Sequence, residues 1–297
     1  GDAEDVGDRK YPVCYRWGTT PGASCVIQAH PSWGTLTQGQ VYVYGDGEGN
    51  LDFPPVQATV SGNTVTYPAT ASTSAFPSEV WHHPYFHIAW FISTNGGTSY
   101  NFAGVSSDEV FVFRPGTLPG GPGCNPLYRT VLRLGCENGG GSDPNDIFAA
   151  TWGGFADLDV DMWSDVSQEY DLQLWYWQDA GNEDHSTVDD LLGGQDANCA
   201  AWADLLLEAC RVNNLPGLSR TQVVPPNGGN PPHEFCVDVA ATRNPPCQYP
   251  TDPDGYTWDV LTQLDIWFPG AFAQGAGNHT PQLKTFGNHY IVRRRTG

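Results

Sequence analysis

The apolar positions of residues 23–113 come in short runs of β-branched and aromatic side chains, at 40–44, 56–60, 64–67, 86–92 and 110–113. Phe86, Ile88, Trp90 and Ile92 occupy every second position of their run, the period of a strand with one buried face. Gly45-Asp46-Gly47 and Asn95-Gly96-Gly97 are turn formers that separate the runs, and no helical period interrupts them. Residues 11–113 are therefore expected to form an all-β, Ig-like antiparallel sandwich. Residues 1–10 read as a flexible acidic tail, and the Pro/Gly-rich stretch 114–126 as a linker.

Beyond the linker the pattern changes, and residues 127–297 read as an α+β domain. Residues 128–134 are mixed in character. Residues 143–155 open with helix-start signals, Pro144 in the first turn and Asp146 after it. Residues 172–177 suggest a strand or buried turn, 221–255 a proline-rich loop, and 286–292 a strand. The clearest helix spans Cys199–Arg211, where Ala, Leu and Glu dominate and no Gly or Pro intervenes. Asp196 or Asn198 is placed to cap it, Asn214 to take the left-handed conformation at its end, and Pro216 to stop it. Cys199, Ala203, Leu206, Leu207 and Cys210 fall on one face, so the thiol is expected at the tip of a buried stripe.

Composition narrows the possible partners. Thirty-three Asp and Glu stand against thirteen Lys and Arg, a formal net charge of −20 over 297 residues. That charge repels phosphate backbones and anionic lipid heads, which disfavours nucleic acid and membrane surfaces. No segment has the ~20 apolar residues of a spanning helix. The chain starts at Gly1 with no leader, and reads as a processed or truncated exported protein.

The eight cysteines point the same way. Six form close pairs in sequence, Cys14 with Cys25, Cys124 with Cys136, and Cys236 with Cys247. Each pair would close a loop of about a dozen residues, worth about 2–3 kcal/mol in the chain-entropy picture. Sequence leaves the connectivity open. Cys199 and Cys210 on one helix would lie about 16 Å apart, beyond the ~7 Å Cα reach of a disulfide. A cysteine in a first helical turn feels the positive end of the helix dipole, which favours thiolate. A histidine within hydrogen-bond reach would complete an ion pair that makes a nucleophile, whereas a plain buried cysteine is inert.

The run Cys199-x3-Ala203-x-Leu205-Leu206-x4-Arg211-x3-Leu215-Pro216 resembles the nucleophile helix of the transglutaminase-like superfamily, whose fold is papain-like. Asn214 stands where that family usually has Gly, and Gly217-Leu218 replace its usual Ala-Arg, with Arg220 close by. The resemblance implies a later-strand histidine as catalytic partner, and His289 is the one inside a strand-like pattern, ahead of His233 and His279. It also implies an upstream oxyanion-supporting Trp, for which Trp163, Trp175 and Trp177 are candidates, beside the backbone N–H of Cys199. The implied orienting Asp or Asn belongs on a strand after His289, and residues 290–297 hold no acid. Asp238, Asp259 and Asp265 are acids of the wrong order.

No cofactor is expected. The acidic rhythm of Asp157, Asp159, Asp161 and Asp165 hints at calcium but lacks the Gly and terminal Glu of an EF-hand loop. His82, His83 and His87 share an aromatic strand where packing explains them better than a metal. The expected function is a secreted, extracellular cysteine enzyme that transfers or hydrolyses acyl groups of protein or peptide amides through a Cys199 thioester. The alternative is a catalytically incomplete binding or assembly module of the same fold, with a self-assembly partner in place of a substrate.

Overall fold

A computed structural model describes residues 12–116, 128–139, 141–155, 160–176, 186–223, 235–236, 285–286 and 289–294. The chain is rich in strand (41 %) and carries a curled five-stranded sheet and four α-helices among the described residues. It divides into two compact units, one of residues 7–115 and the other of residues 1–6 with 116–297. The division falls inside the Pro/Gly-rich stretch 114–126.

The first unit contains β1 (Val13–Arg16), β2 (Gly22–Gln28), β3 (Tyr42–Gly47), β4 (Phe53–Gln57), β5 (Thr59–Ser61), β6 (Thr64–Ala71), β7 (Trp81–Ser93) and β8 (Asn101–Phe113). Five of them form a sheet in the order β1-β8-β7-β3-β4, and three form a second sheet in the order β2-β6-β5. Every pairing is antiparallel except β1 with β8. Phe86, Ile88, Trp90 and Ile92 are all buried, as their period-two spacing predicts. They join Val43, Val110 and Val112 of the larger sheet and Ile27, Val65 and Tyr67 of the smaller one in a single core. A Cβ on Gly45 would lie 2.8 Å from Ile88 and 2.9 Å from Trp90, so close packing of these rows requires glycine there.

The expected bridge between Cys14 and Cys25 is absent. Cys14 pairs with Phe111 in the five-stranded sheet and Cys25 with Tyr67 in the three-stranded sheet, and both are free thiols. Closeness in sequence did not bring the sulfurs together, because the turn after β1 sends β2 into the other sheet. Desolvation pushes the thiol of half-buried Cys25 up to about 11, and desolvation together with the Glu109 charge does the same at Cys14, whose residue is exposed.

The three histidines of β7 are engaged by carboxylates. His82 contacts Glu109 at 2.9 Å and stacks on Phe111, while His83 and His87 grip the two oxygens of Glu48 at 2.7 and 2.8 Å. Among the described residues no group of three His, Cys, Asp or Glu is arranged to hold a metal.

The second unit contains α1 (Arg129–Cys136), α2 (Pro144–Gly153), β9 (Asp161–Ser164), β10 (Glu169–Gln173), β11 (Trp175–Tyr176), α3 (Val188–Gly194), β12 (Asp196–Ala197), α4 (Cys199–Arg211), β13 (Leu218–Val223), β14 (Phe235–Cys236), β15 (Thr285–Phe286) and β16 (His289–Arg294). Asp143 caps α2 by accepting from the Asn145 amide at 2.7 Å, with Pro144 in the first turn. Residues 128–134, of mixed pattern, belong largely to helix α1. Residues 172–176 do not make one strand. Leu174 donates its amide to Val160 and separates β10 from β11, which pair with different partners. Among the described residues no helix is long and apolar enough to cross a membrane.

Helix α4 organises this unit. Its bounds agree with the sequence expectation, but its burial does not follow a single stripe. Ala200, Ala201, Trp202, Leu205 and Glu208 are buried along with the expected face, leaving Asp204 half-buried and Arg211 exposed. Helices α1, α2 and α3 and strands β13 and β16 pack against it. A helix surrounded in this way must be apolar on nearly all sides. Gly135 lets α1 approach closely, since a Cβ there would lie 2.3 Å from Val212 and 2.6 Å from the Ala209 carbonyl. Asn213 seals the same contact by donating to the Gly135 carbonyl.

Several expectations lie outside the described residues: the tail 1–10, Cys124, Asp157, Asp159, Trp177, Cys247 and most of the loop 221–255. Cys236 and His289 are described in their backbone.

Candidate functional site

The local sequence builds the site around Cys199 in steps. Thr187 and Asp190 form a capping box that starts α3, each side chain meeting the other's backbone. Gln195 ends α3 in the left-handed conformation, at φ 66°, and turns the chain into β12. Strand β12 pairs in parallel with β11, Trp175 opposite Asp196 and Tyr176 opposite Ala197. The Trp175 amide donates to the Gln195 carbonyl at 2.7 Å and secures the entry to that ladder. Asn198 then caps α4 by accepting from the Ala200 amide at 2.9 Å. Asp196, the other candidate cap, is committed to the ladder instead.

Cys199 therefore stands in the first turn of α4, buried to 4 % exposure. Tyr176 is a hydrogen-bonding neighbour of Cys199, its position opposite Ala197 bringing the phenol to the helix tip. Burial pushes the Tyr176 hydroxyl well above its ordinary range, and the charge and hydrogen bond of Cys199 push it further in the same direction. The phenol stays protonated beside the Cys199 sulfur. Trp202, one turn into the helix, donates its indole N–H to the Trp175 carbonyl at 3.2 Å and lies beside the Tyr176 and Phe155 rings.

The candidate tryptophans separate. Trp163 lies on β9 and donates its indole N–H to Asp165 at 3.1 Å, with the Arg129 guanidinium 3.3 Å above its ring. It is committed to the β9–β10 hairpin. Trp175 adjoins Tyr176 on the strand that meets the chain entering α4.

Strand β13 follows α4 after the turn at Asn214 and Gly217, both at positive φ. Arg220 of β13 forms an ion pair with Asp204, so the strand runs back along the helix. Burial raises the Asp204 carboxyl, and Arg220 opposes that shift. Strand β16 pairs antiparallel with β13, Val292 opposite Arg220 and His289 opposite Val223. This direction carries the His289 position toward the end of α4 that bears Cys199.

Tyr176 and Trp202 were not singled out as site residues from sequence. Tyr176 lies among the aromatics of 172–177, and nothing local distinguishes it from Trp175 or Trp177. Cys210, at the other end of α4, is fully buried.

No protein-family model matches the chain, and no curated protein matches it significantly.

Proposed function

We propose that residues 127–297 are a transglutaminase-like cysteine enzyme of an exported protein, acting on carboxamides of proteins or peptides, and that residues 11–113 are an Ig-like sandwich that accompanies it. The observation that carries the reading is Cys199 in the capped first turn of α4, hydrogen-bonded to Tyr176. A first-turn thiolate gains from the helix dipole and from the phenol's donated hydrogen bond. The register of β16 supports His289 as the general base.

In this reading the Cys199 sulfur attacks the carboxamide carbon. The Cys199 amide and a donor near Trp175 stabilise the resulting oxyanion. The C–N bond breaks, ammonia leaves with a proton returned by His289, and a thioester remains. A primary amine or water then attacks the thioester, releases the thiol, and yields a new amide or an acid.

The test follows both exits, incorporation of a fluorescent primary amine into a glutamine-containing peptide and release of ammonia from that peptide. Cys199→Ala and His289→Ala are each expected to abolish both with the circular dichroism unchanged. Neither product from a wild-type protein whose Cys199 is alkylated readily would sink the proposal. The burial of Cys199 at 4 % exposure favours a second reading, a binding or assembly module that keeps the fold without the chemistry. It predicts a Cys199 as slow to label as Cys210.

A further inference from the structure

The outer face of the five-stranded sheet in the first unit carries side chains that its own packing does not use. Tyr44, Phe91 and Phe102 stand opposite one another on β3, β7 and β8. Tyr44 and Phe91 stack at 4.8 Å with planes 9° apart, and Phe102 meets Phe91 edge-on at 5.8 Å. The next row of the same face is Asp46, Ala89 and Val105. Ala89 is the small residue between two longer ones, so the row has a notch at its centre, with Asp46 on one side and Val105 on the other. Phe102 is 59 % exposed and Val105 55 %, unusual for apolar residues on one patch.

Charge on this face is one-sided. Asp46 is exposed and makes no side-chain hydrogen bond or ion pair among the described residues. Glu48 and His87 lie beside the notch, joined to each other at 2.8 Å. The described residues of this unit contain two basic side chains other than histidine, Arg16 and Arg114. The Arg16 guanidinium donates to the Arg114 carbonyl and lies over Phe113, roughly 26 Å along β8 from Val105 at strand rise. Among the described residues no lysine or arginine of the unit reaches the notch.

We infer that this face docks an arginine-bearing segment of another protein, the guanidinium seated over Ala89 between Asp46 and the aromatic row, and apolar neighbours of that arginine against Phe102 and Val105. Guanidinium is weakly hydrated, stacks on aromatic rings and pairs with a carboxylate in the same plane. A second copy of this acidic chain is a poor occupant, since like charges would meet.

The test uses the whole protein and a capped Leu-Arg-Leu-Arg-Leu peptide, with its citrulline counterpart as an uncharged isostere, followed by calorimetry. The arginine peptide is expected to bind at least about tenfold more tightly than the citrulline one. Asp46→Asn and Phe102→Ser, both exposed positions, are each expected to weaken it about tenfold. Glu79→Gln, an exposed acid ahead of β7, is expected to leave affinity unchanged. Equal losses in Asp46→Asn and Glu79→Gln would show only general attraction to an acidic protein and overturn the assignment. So would equal affinity for both peptides, or no binding. Binding of maltohexaose, or self-association, that Phe102→Ser removes would assign the face to another occupant and overturn it as well.

Discussion

The Tyr176 phenol is hydrogen-bonded to Cys199 because a two-residue parallel ladder sets Tyr176 opposite Ala197, two positions before the cysteine. A buried hydroxyl left without a partner is costly, and a thiol or thiolate at a helix tip gives it one. The pair thus links the strand β11 to the electrostatics of α4.

Tyr176→Phe removes the donor and keeps the ring. Iodoacetamide labelling of Cys199 at fixed pH is expected to slow about tenfold, the effect of one hydrogen bond to a charged group. Peptide mass spectrometry reads it site by site. An unchanged or faster rate would mean that the phenol shields the sulfur rather than activating it.

Cys14 and Cys25 are expected to behave in the opposite way. With their thiols raised from 9.0 to about 11, both stay protonated and label slowly near neutral pH, and approach full reactivity only above about pH 10. The same shift has a stability consequence. The unfolded chain ionises these thiols at 9.0 while the folded chain holds the proton to about 11. Their contribution is complete below pH 9 and is lost as pH rises from 9 to about 11. Urea denaturation of the first unit at pH 7.5, 9 and 10.5 should show a falling midpoint; a flat series would contradict the upward shift of these thiols.

Gly135→Ala places a methyl against Val212 and the Ala209 carbonyl. Overpacking of this kind costs about 1–3 kcal/mol. The control is Gly193→Ala, where a Cβ meets nothing within 4 Å. The midpoint of the second unit should fall in the first variant and hold or rise in the second.

Asn198→Ala deletes the cap of α4 and should cost about 1 kcal/mol. Trp202→Phe removes the hydrogen bond to the Trp175 carbonyl and also leaves a cavity at a fully buried site, so it should cost more, about 2–4 kcal/mol. Thermal melts followed by circular dichroism measure both. A neutral Trp202→Phe would contradict both the hydrogen bond and the close packing of this ring.

Helix α4 shows how far local information carries. Its start, its end, its cap at Asn198 and its left-handed exit at Asn214 are all written in side chains within a few residues of one another. The strand run at Phe86, Ile88, Trp90 and Ile92 is legible for the same reason, since a period-two pattern and a one-sided burial are the same fact. Helix α1 was less legible, its eight residues too short to show a period clearly.

Contacts between distant segments had no such signal. The separation of Cys14 from Cys25 depends on which sheet each strand joins, a choice made by pairing with Phe111 and Tyr67 far along the chain. The all-round burial of α4 depends on five neighbours packed about it. The partnership of Tyr176 with Cys199 depends on a ladder between segments some twenty residues apart. Local propensity and spacing act through the backbone nearby and survive in any context; the meeting of side chains from separate elements exists only once packing has selected one arrangement of them.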